Sequence, residues 1–351
     1  MNKTIFEMNE EIISEASKLK LKEIYKANKQ DGINTKLKIV FMGTPDFAVP
    51  IFQSIDDIFG VDLVVTIPDK PQGRGLKLTP SEVKIEAEQR QIEILQPENL
   101  KDETFIQQIK NLNPDIICVV AFKILPKEIF ELAQIATFNI HGSLLPKFRG
   151  AAPINRAIVD GESITGLTSF ILNNKVDTGN ILLQCKTQIT ETTIASELYD
   201  DLKVKASDLA IVTIQLLLNG NYTAINQNDE LATKAPKVFA NDSFIDWNNT
   251  KDKTRCFING LSYFPGARTY LDGKLLKIFR AKNVEQSQDF ANNEELSNGE
   301  IVINHKKLYV KCQDGLLEIL ELQLEGKKKM QTSDFVLGIK TKERIYLNNS
   351  K

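Results

Sequence analysis

The first two-thirds of the chain alternates short apolar runs with amphipathic segments. The runs are of strand length; they are "LKIVFMG" (37–43), "VDLVVTIP" (61–68), "IEILQP" (92–97), "PDIICVVAF" (114–122) and "ATFNIHG" (136–142). Segments with helical spacing lie between them, at 46–60, 81–91 and 102–112. Continuously apolar strands that alternate with helices indicate a parallel sheet covered on both faces. Ligands of such sheets bind beyond the carboxyl ends of the strands.

The pattern changes after a long helical stretch, residues 195–220. Apolar and polar residues alternate on either side of Asp272-Gly273 and again around Asp314-Gly315, and an Asp-Gly pair in this setting predicts a hairpin. Several short antiparallel strands of this kind predict a small barrel. Near the end, "TSDFVLGI" (332–339) predicts a capped helix.

These patterns divide the chain into four segments. They are an N-terminal extension (1–36), an α/β domain (37–222), a linker (223–240) and a β domain (241–347). The extension has neither the apolar core of a signal peptide nor any arginine, so we do not interpret it as a targeting segment. Its apolar residues fall at helical spacing and predict a weak amphipathic helix; they are Ile5, Met8, Ile12, Ala16 and Leu19.

Composition narrows the class of protein. The chain has 351 residues, 42% hydrophobic and 26% charged, and no apolar run approaches the roughly 20 residues that cross a bilayer. The net charge is −2, so a polyanionic partner would require a local basic patch. The four cysteines form no C-x-x-C pair, which disfavours a metal site and favours buried free thiols in a reducing cytoplasm. We expect no metal and no membrane contact.

The first strand is followed by "GTPDF" (43–47), which lacks the G-x-G-x-x-G pattern of dinucleotide-binding turns. No P-loop pattern occurs in the chain either. The expected site therefore has to come from polar residues at the ends of other strands.

One strand carries such residues. In "ATFNIHG", period-two alternation places Asn139 and His141 on the same face near the carboxyl end, and Asp177 lies on a turn before another strand. An Asn amide can donate to an oxygen that gains charge, a His can move a proton, and a carboxylate can orient the His. No obvious nucleophile accompanies them, so the set suits attack by a substrate amine on an activated carbonyl. The alternative is structural: His141 as a satisfied strand-end residue and Asp177 as a turn residue or cap.

The following loop, "GSLLPKFRGAAPI" (142–154), favours the functional interpretation. Leu144, Leu145 and Pro146 form an apolar wall suited to a planar heterocycle, and Pro153 is placed to open a helix. A hydrophobic loop that plugs the sheet would have the same composition.

Together these residues resemble the folate-dependent formyltransferases. The motif Asn-x-His-Gly-Ser-Leu-Leu-Pro at 139–146, with Asp-Thr-Gly at 177–179, is specific for that superfamily. Within it, "MGTPDFAVP" (42–50) and the basic loop "PDKPQGRGLKLTPSEVK" (68–84) resemble the bacterial branch that acts on methionyl-tRNA, over residues 37–347. The resemblance implies a Rossmann-like catalytic domain followed by an OB-like, tRNA-binding domain.

The resemblance also implies roles for individual residues. Asn139 and His141 would contact the formyl oxygen of 10-formyltetrahydrofolate, and Asp177 would hold His141. The folate pocket would be lined by Ser143, Leu144, Leu145 and Pro146, with the segment 119–125 behind the pterin. The basic loop would enter the acceptor stem of the tRNA through Arg74, with the help of Lys70 and Lys77. The implied activity is formylation of initiator methionyl-tRNA for translation initiation, by a cytoplasmic enzyme that we expect to be a monomer.

Two alternatives stay open at this point. One is an enzyme that formylates the amine of a nucleotide sugar, because those enzymes share the central motif. The other is a module that binds folate or tRNA without turnover.

Overall fold

The computed structural model describes residues 7–8, 37–72, 77–284, 295–339 and 344–348. The chain divides into two compact units. The first comprises Met1–Gly150, Gly166–Thr187 and Asp200–Lys234, and the second comprises Ala151–Thr165, Gln188–Tyr199 and Ala235–Lys351. The domain boundaries expected from the sequence pattern stay a prediction.

The described strands, in chain order, are β1 (Glu7–Met8), β2 (Ile39–Gly43), β3 (Leu63–Val65), β4 (Lys70–Gln72), β5 (Lys77–Thr79), β6 (Glu93–Leu95), β7 (Ile116–Val120), β8 (Ala136–His141), β9 (Arg149–Gly150), β10 (Ile164–Ile171), β11 (Ile181–Gln188), β12 (Lys234–Ala235), β13 (Ala267–Leu271), β14 (Lys274–Asn283), β15 (Ile301–Asn304), β16 (Lys307–Cys312), β17 (Gly315–Leu324), β18 (Met330–Gln331) and β19 (Leu347–Asn348). The described α-helices are α1 (Val49–Phe59), α2 (Glu82–Gln89), α3 (Glu103–Leu112), α4 (Lys127–Phe130), α5 (Pro153–Val159), α6 (Ala195–Asn219), α7 (Lys251–Gly260) and α8 (Thr332–Leu337). None of these helices is long and apolar enough to cross a membrane.

The main sheet has eight strands within the described residues, in the order β1, β11, β10, β8, β7, β2, β3, β6. The strands from β8 to β6 are parallel to one another, and β10 is antiparallel to β8. The chain winds from β2 towards β6, then returns past β2 and continues through β7 and β8. This reversal between β2 and β7 is the switch point beside which open α/β sheets bind ligands.

Apolar side chains cover both faces of this sheet. On one face Phe41 of β2 meets Phe52 of α1, with ring centroids 5.3 Å apart. On the other face Met42 joins Phe105 and Ile109 of α3 in one buried cluster. Adjacent residues of one strand therefore pack against helices on opposite sides, which is why the strand sequences are continuously apolar.

Local signals in the sequence account for the helix ends. The side chains of Ser81 and Asp102 accept the N3 backbone N–H groups of α2 and α3, and Pro153 occupies the first turn of α5. The predicted C-terminal helix is confirmed as α8, but the predicted cap is not observed. Gln331 is the N-cap and makes no side-chain cap hydrogen bond, and Thr332 is buried inside the first turn.

The second unit contains an antiparallel sheet with the strand order β15, β16, β17, β14, β13, β19. Asp272 and Gly273 both have positive φ (48° and 72°) in the β13–β14 turn, which confirms the first predicted hairpin. The hairpin of β16 and β17 is also confirmed, although Gly315 is the first residue of β17 rather than part of the turn. The apolar face of this antiparallel sheet is covered by Ile258 of α7 and by Phe335 of α8.

The predicted fold class is confirmed: a doubly wound, mostly parallel α/β sheet and a small OB-like β domain. The predicted helix in the extension is wrong at Glu7 and Met8, whose backbone pairs in parallel with Gln184 and Cys185 of β11. The rest of that prediction lies outside the described residues. All four cysteines are buried and free, as predicted.

Candidate active site

Strand β8, which carries the Asn-x-His motif, ends at the carboxyl edge of the parallel strands. Phe138 and Ile140 are buried in the sheet core, and the alternate positions Asn139 and His141 share the other face. His141 is the last residue of the strand, opposite Thr168 of β10. The predicted placement of both residues at the carboxyl end of one strand is therefore observed.

His141 is buried and both ring nitrogens face acceptors. Its Nε2 lies 2.8 Å from the carbonyl oxygen of Phe148. A carbonyl can only accept, so Nε2 carries the hydrogen. The other nitrogen, Nδ1, lies 3.8 Å from Oδ2 of Asp177. This distance is too long for a hydrogen bond but within the range of an ion pair when the imidazole is protonated.

Asp177 is fixed in turn by the loop that follows β8. Its Oδ2 accepts the backbone N–H of Gly150 at 2.8 Å. Asp177 adopts a left-handed backbone (φ 54°), and the chain then passes against β10 so closely that a Cβ on Gly179 would lie 1.6 Å from the carbonyl oxygen of Ile171. The turn therefore requires glycine at 179 and aims the Asp177 carboxylate at the loop.

Asn139 is partly exposed. Within the described part of the chain its amide makes no hydrogen bond, whereas the nearby polar groups of the loop are bonded to one another. An amide in this position has two N–H donors available for a bound molecule.

The apolar loop after β8 is held by the neighbouring strands. Thr168 of β10 accepts the backbone N–H of Leu145 at 3.0 Å and donates to the carbonyl of Ser143 at 2.7 Å. Gln184 of β11 donates to the carbonyl of Leu145 at 2.9 Å. Neither Thr168 nor Gln184 was singled out from the sequence, because both lie in ordinary alternating strands.

The four predicted folate-binding residues differ in exposure. Ser143 and Leu145 are buried: the Ser143 hydroxyl donates to the carbonyl of Lys147 at 2.6 Å, and Leu145 packs with Phe170 of β10. Leu144 and Pro146 stay partly exposed. Contact of any of the four with folate stays a prediction.

The basic loop is a β-hairpin formed by β4 and β5, with Lys70 paired to Thr79 and Gln72 to Lys77 in the backbone register. Lys70 is exposed. Arg74 lies at the tip in sequence, outside the described residues, and the side chain of Lys77 lies outside them as well. None of the predicted tRNA contacts is tested by this geometry.

The base of this hairpin is anchored by a polar network. Lys84 of α2 contacts both carboxylate oxygens of Asp69, at 2.9 and 2.7 Å, and Gln96 donates to the same carboxylate at 2.8 Å. These bonds, first that from Lys84 and then that from Gln96, lower the pKa of Asp69. Gln96 also donates to the carbonyl of Ile67 at 2.7 Å, so two points of the segment before β4 are fixed.

A further set of residues surrounds the His141–Asp177 pair and was missed by sequence reasoning. Thr233 accepts a backbone N–H of the loop after β8, and Gln227 bonds both Arg149 of that loop and the backbone of the Asp177 turn. Gln227 and Thr233 lie in the predicted linker, some 80 residues after Arg149, and nothing local in the sequence connects them. Within the described residues no cluster of three or more metal-ligating side chains occurs.

Comparison with known proteins agrees with this architecture. The family profile "Formyl transferase" matches residues 37–214, and "Formyl transferase, C-terminal domain" matches residues 237–340. Among solved structures, the sugar 3N-formyl transferase WlaRD is similar with a TM-score of 0.61 at 18% identity, over 84% of this chain and 100% of that one. HypX from Aquifex aeolicus, solved in complex with tetrahydrofolic acid, is similar with a TM-score of 0.56 at 16% identity, over 89% of this chain and 51% of that one. Identities this low establish the fold alone.

Sequence relatives are much more similar. The methionyl-tRNA formyltransferase of Caldanaerobacter subterraneus subsp. tengcongensis is 41% identical over 305 residues, which cover 86% of this chain and 97% of that protein. The methionyl-tRNA formyltransferase of Porphyromonas gingivalis is 38% identical over 323 residues, covering 89% of this chain and 98% of that protein. The chain therefore belongs to the methionyl-tRNA formyltransferase family of formyl transferases.

Proposed function

We propose that this enzyme transfers the formyl group of 10-formyltetrahydrofolate to the free α-amine of methionine on initiator tRNA. The observation that carries the proposal is the site at the end of β8: His141 buried beside Asp177, with the Asn139 amide free on the same face. This set supplies hydrogen-bond donors and a proton acceptor but no nucleophile. It therefore suits a reaction in which one substrate brings the attacking nitrogen and the other brings the carbonyl.

Asn139 is the group that binds the formyl oxygen. When the amine attacks, the carbonyl oxygen gains negative charge, and a fixed N–H donor stabilises that charge more than it stabilises the neutral ground state. Removal of one such donor typically lowers the rate about 10²–10³-fold. The absence of a protein partner for the Asn139 amide in the described residues keeps it available for this oxygen.

His141 is the group that takes up the proton. Its Nε2 hydrogen is committed to the Phe148 carbonyl, so Nδ1 of the neutral ring carries a lone pair. A proton that reaches Nδ1, directly or through water, lands 3.8 Å from the Asp177 carboxylate, which stabilises the imidazolium. The His141–Asp177 pair can therefore hold the proton released by the amine until it is transferred to N10 of the folate.

The complete step balances without another reactant. The bond from the methionine nitrogen to the formyl carbon forms, the bond from that carbon to N10 of the folate breaks, and the proton lost by the amine is delivered to N10. Leu144 and Pro146, which are partly exposed beside the site, are proposed to contact the folate, together with the loop residues Ser143 and Leu145.

The hairpin of β4 and β5 is proposed to contact the tRNA. The chain carries a net charge of −2, so a polyanion needs a local basic element, and Lys70, Arg74 and Lys77 provide one. The contact of Lys84 with Asp69 holds the residue that precedes β4, at the base of the hairpin.

The test of the catalytic proposal is formylation of charged initiator tRNA by the purified enzyme and by Asn139→Ala, His141→Ala and Asp177→Ala. Each variant should lower kcat on the order of 10²-fold or more while remaining folded. The double variant of His141 and Asp177 should lose less than the sum of the two single losses, because Asp177 acts through His141. Near-native kcat in His141→Ala would refute the assignment.

The acceptor is tested separately. Arg74→Ala should sharply reduce tRNA formylation, leave folate affinity unchanged and flatten the dependence of log affinity on log salt concentration by about one unit. Lys101→Ala removes an exposed cation elsewhere in the first unit and is the matched control. Efficient turnover of a nucleotide-linked amino sugar, unaffected by Arg74→Ala, would favour the sugar alternative. Binding of folate without turnover of either acceptor would favour a binding module.

The proposed location is the cytoplasm and the proposed state is a monomer. Light scattering during size-exclusion chromatography of the full chain gives the mass directly, and a mass of twice 39.5 kDa would contradict the monomer.

A further inference from the structure

The segment 225–233 belongs to the first unit and packs beside the site. Ile225 forms a two-way backbone bridge with Ile181 of β11, at 2.8 Å in each direction, and its side chain packs against the buried cluster that contains Leu145. Beyond it, Thr233 bonds the loop that follows β8 and His141, and Gln227 bonds the turn that carries Asp177.

Thr233 fixes the loop that holds His141. Its Oγ1 accepts the backbone N–H of Phe148 at 2.8 Å, and its carbonyl accepts the N–H of Arg149 at 2.9 Å. Phe148 is the residue whose carbonyl takes the Nε2 hydrogen of His141. The position of that carbonyl therefore depends on Thr233.

Gln227 fixes the turn that holds Asp177. Its Nε2 donates to the carbonyls of Asp177 and Gly179, at 2.9 and 2.8 Å. Its Oε1 accepts from Nε and Nη2 of Arg149, at 3.0 and 2.8 Å. These four bonds use the whole hydrogen-bonding capacity of one amide.

We propose that Gln227 is a positioning residue for the reaction, which locks the Asp177 turn to the 148–150 loop through Arg149 and so sets the separation of Asp177 and His141. The inference rests on the proposed roles of those two residues. The Gly150 N–H that binds Asp177 lies next to Arg149, so the same short loop meets Gln227, Asp177 and His141. A shift of about 1 Å in reacting groups can cost on the order of 10²-fold in rate.

Two substitutions separate this role from simple packing. Gln227→Glu keeps the size and an acceptor for Arg149, but it removes both N–H donors and sets a carboxylate against two carbonyl oxygens. Gln227→Ala removes every bond. Asn226→Ala is the matched control, because Asn226 is an exposed amide in the same segment and makes no hydrogen bond within the described residues.

We expect both Gln227 variants to lower kcat about ten- to a hundredfold, with KM for tRNA and for the folate changed less than about twofold. Asn226→Ala should retain wild-type kcat. In the background of Asp177→Ala, Gln227→Glu and Gln227→Ala should have almost no further effect on kcat, since the group that they position has been removed.

The outcomes are distinguishable. If Asp177→Ala itself keeps wild-type kcat, the proposed catalytic set fails. If Asp177→Ala is impaired but Gln227→Glu is not, or if the losses of the two positions multiply in the double variant, the positioning role is overturned while the catalytic set stands. Should Gln227→Ala fail to fold, the comparison is made with Gln227→Glu alone.

Discussion

Replacement of Gly179 by Ala tests how tightly the Asp177 turn is constrained. The perturbation is one methyl group, placed at a residue that carries no reactive side chain. In the structure that Cβ would lie 1.6 Å from the carbonyl oxygen of Ile171 and 2.8 Å from its carbonyl carbon. Both atoms belong to the backbone of β10, so a change of rotamer cannot relieve the overlap.

The size of the effect follows from these distances. A tolerable contact between Cβ and a carbonyl oxygen is above 3.0 Å, so the turn or β10 must move by well over 1 Å. The bond from Gly150 to Asp177 is 2.8 Å long and the distance from Asp177 to His141 is 3.8 Å, and such a movement changes both. We expect kcat to fall on the order of 10²-fold. Overpacking of this kind also destabilises proteins by about 1–3 kcal/mol.

The assay is formyl transfer to charged initiator tRNA at saturating substrate, together with thermal unfolding. Gly338→Ala is the matched control: the nearest atom to its Cβ would be the carbonyl oxygen of Phe335 at 3.5 Å, which is an ordinary contact. That variant should keep wild-type kcat and melting temperature. A folded Gly179→Ala enzyme with wild-type kcat would refute the view that the site depends on the close approach of this turn to β10.

Three further predictions concern other parts of the molecule. Lys84 and Gln96 lower the pKa of Asp69, so the stability that its carboxylate contributes is present above the unfolded-state pKa and is lost as pH falls through the lower folded-state pKa. In Asp69→Asn, the free energy of unfolding should therefore fall less steeply at acid pH, and KM for tRNA should rise. Burial raises the pKa of Cys312 to about 11, so this thiol should react with a disulfide reagent only after denaturation, as measured by thiol titration with and without guanidinium. Deletion of residues 1–36 should leave both kcat and the melting temperature nearly unchanged, since the described part of the extension contributes the pairing of Glu7 and Met8 at the sheet edge; a large fall in either quantity would contradict this.

The first unit was predictable because its elements are specified by adjacent residues. Apolar runs such as Ile39–Gly43 and Ile116–Val120 have strand length and are buried on both faces, and Ser81 and Asp102 cap the helices that follow loops. The hairpin at His305-Lys306 was not predicted. Both residues have positive φ (46° and 65°), yet neither is the Gly, Asn or Asp that usually signals such a turn. Strand pairing enforces this turn, and the sequence carries no local mark of it.

The candidate site was predicted only in part, for a related reason. Asn139 and His141 are two residues apart on one strand, so period-two alternation alone puts them together. Only the resemblance to a known family predicted that Asp177 holds His141. Gln227 could not be found from the sequence. Its partners Arg149 and Asp177 lie 78 and 50 residues away, and the groups to which it donates are backbone carbonyls, which every residue has.

The geometry of the site also explains why it needs support from outside its motif. Phe148 and Asp177 both have left-handed backbones, with φ of 62° and 54°, and neither is glycine. Each such residue costs about 1–2 kcal/mol and persists only where surrounding bonds over-determine it. Here the N–H of Phe148 is bound by Thr233 and its carbonyl by His141, while the carbonyl of Asp177 is bound by Gln227. The strand motif therefore carries the proposed reacting groups Asn139 and His141, whereas residues of the segment 225–233 bind the two left-handed residues beside them. Replacement of Gln227 or Thr233, which make these bonds, is therefore expected to lower catalysis before it unfolds the sheet.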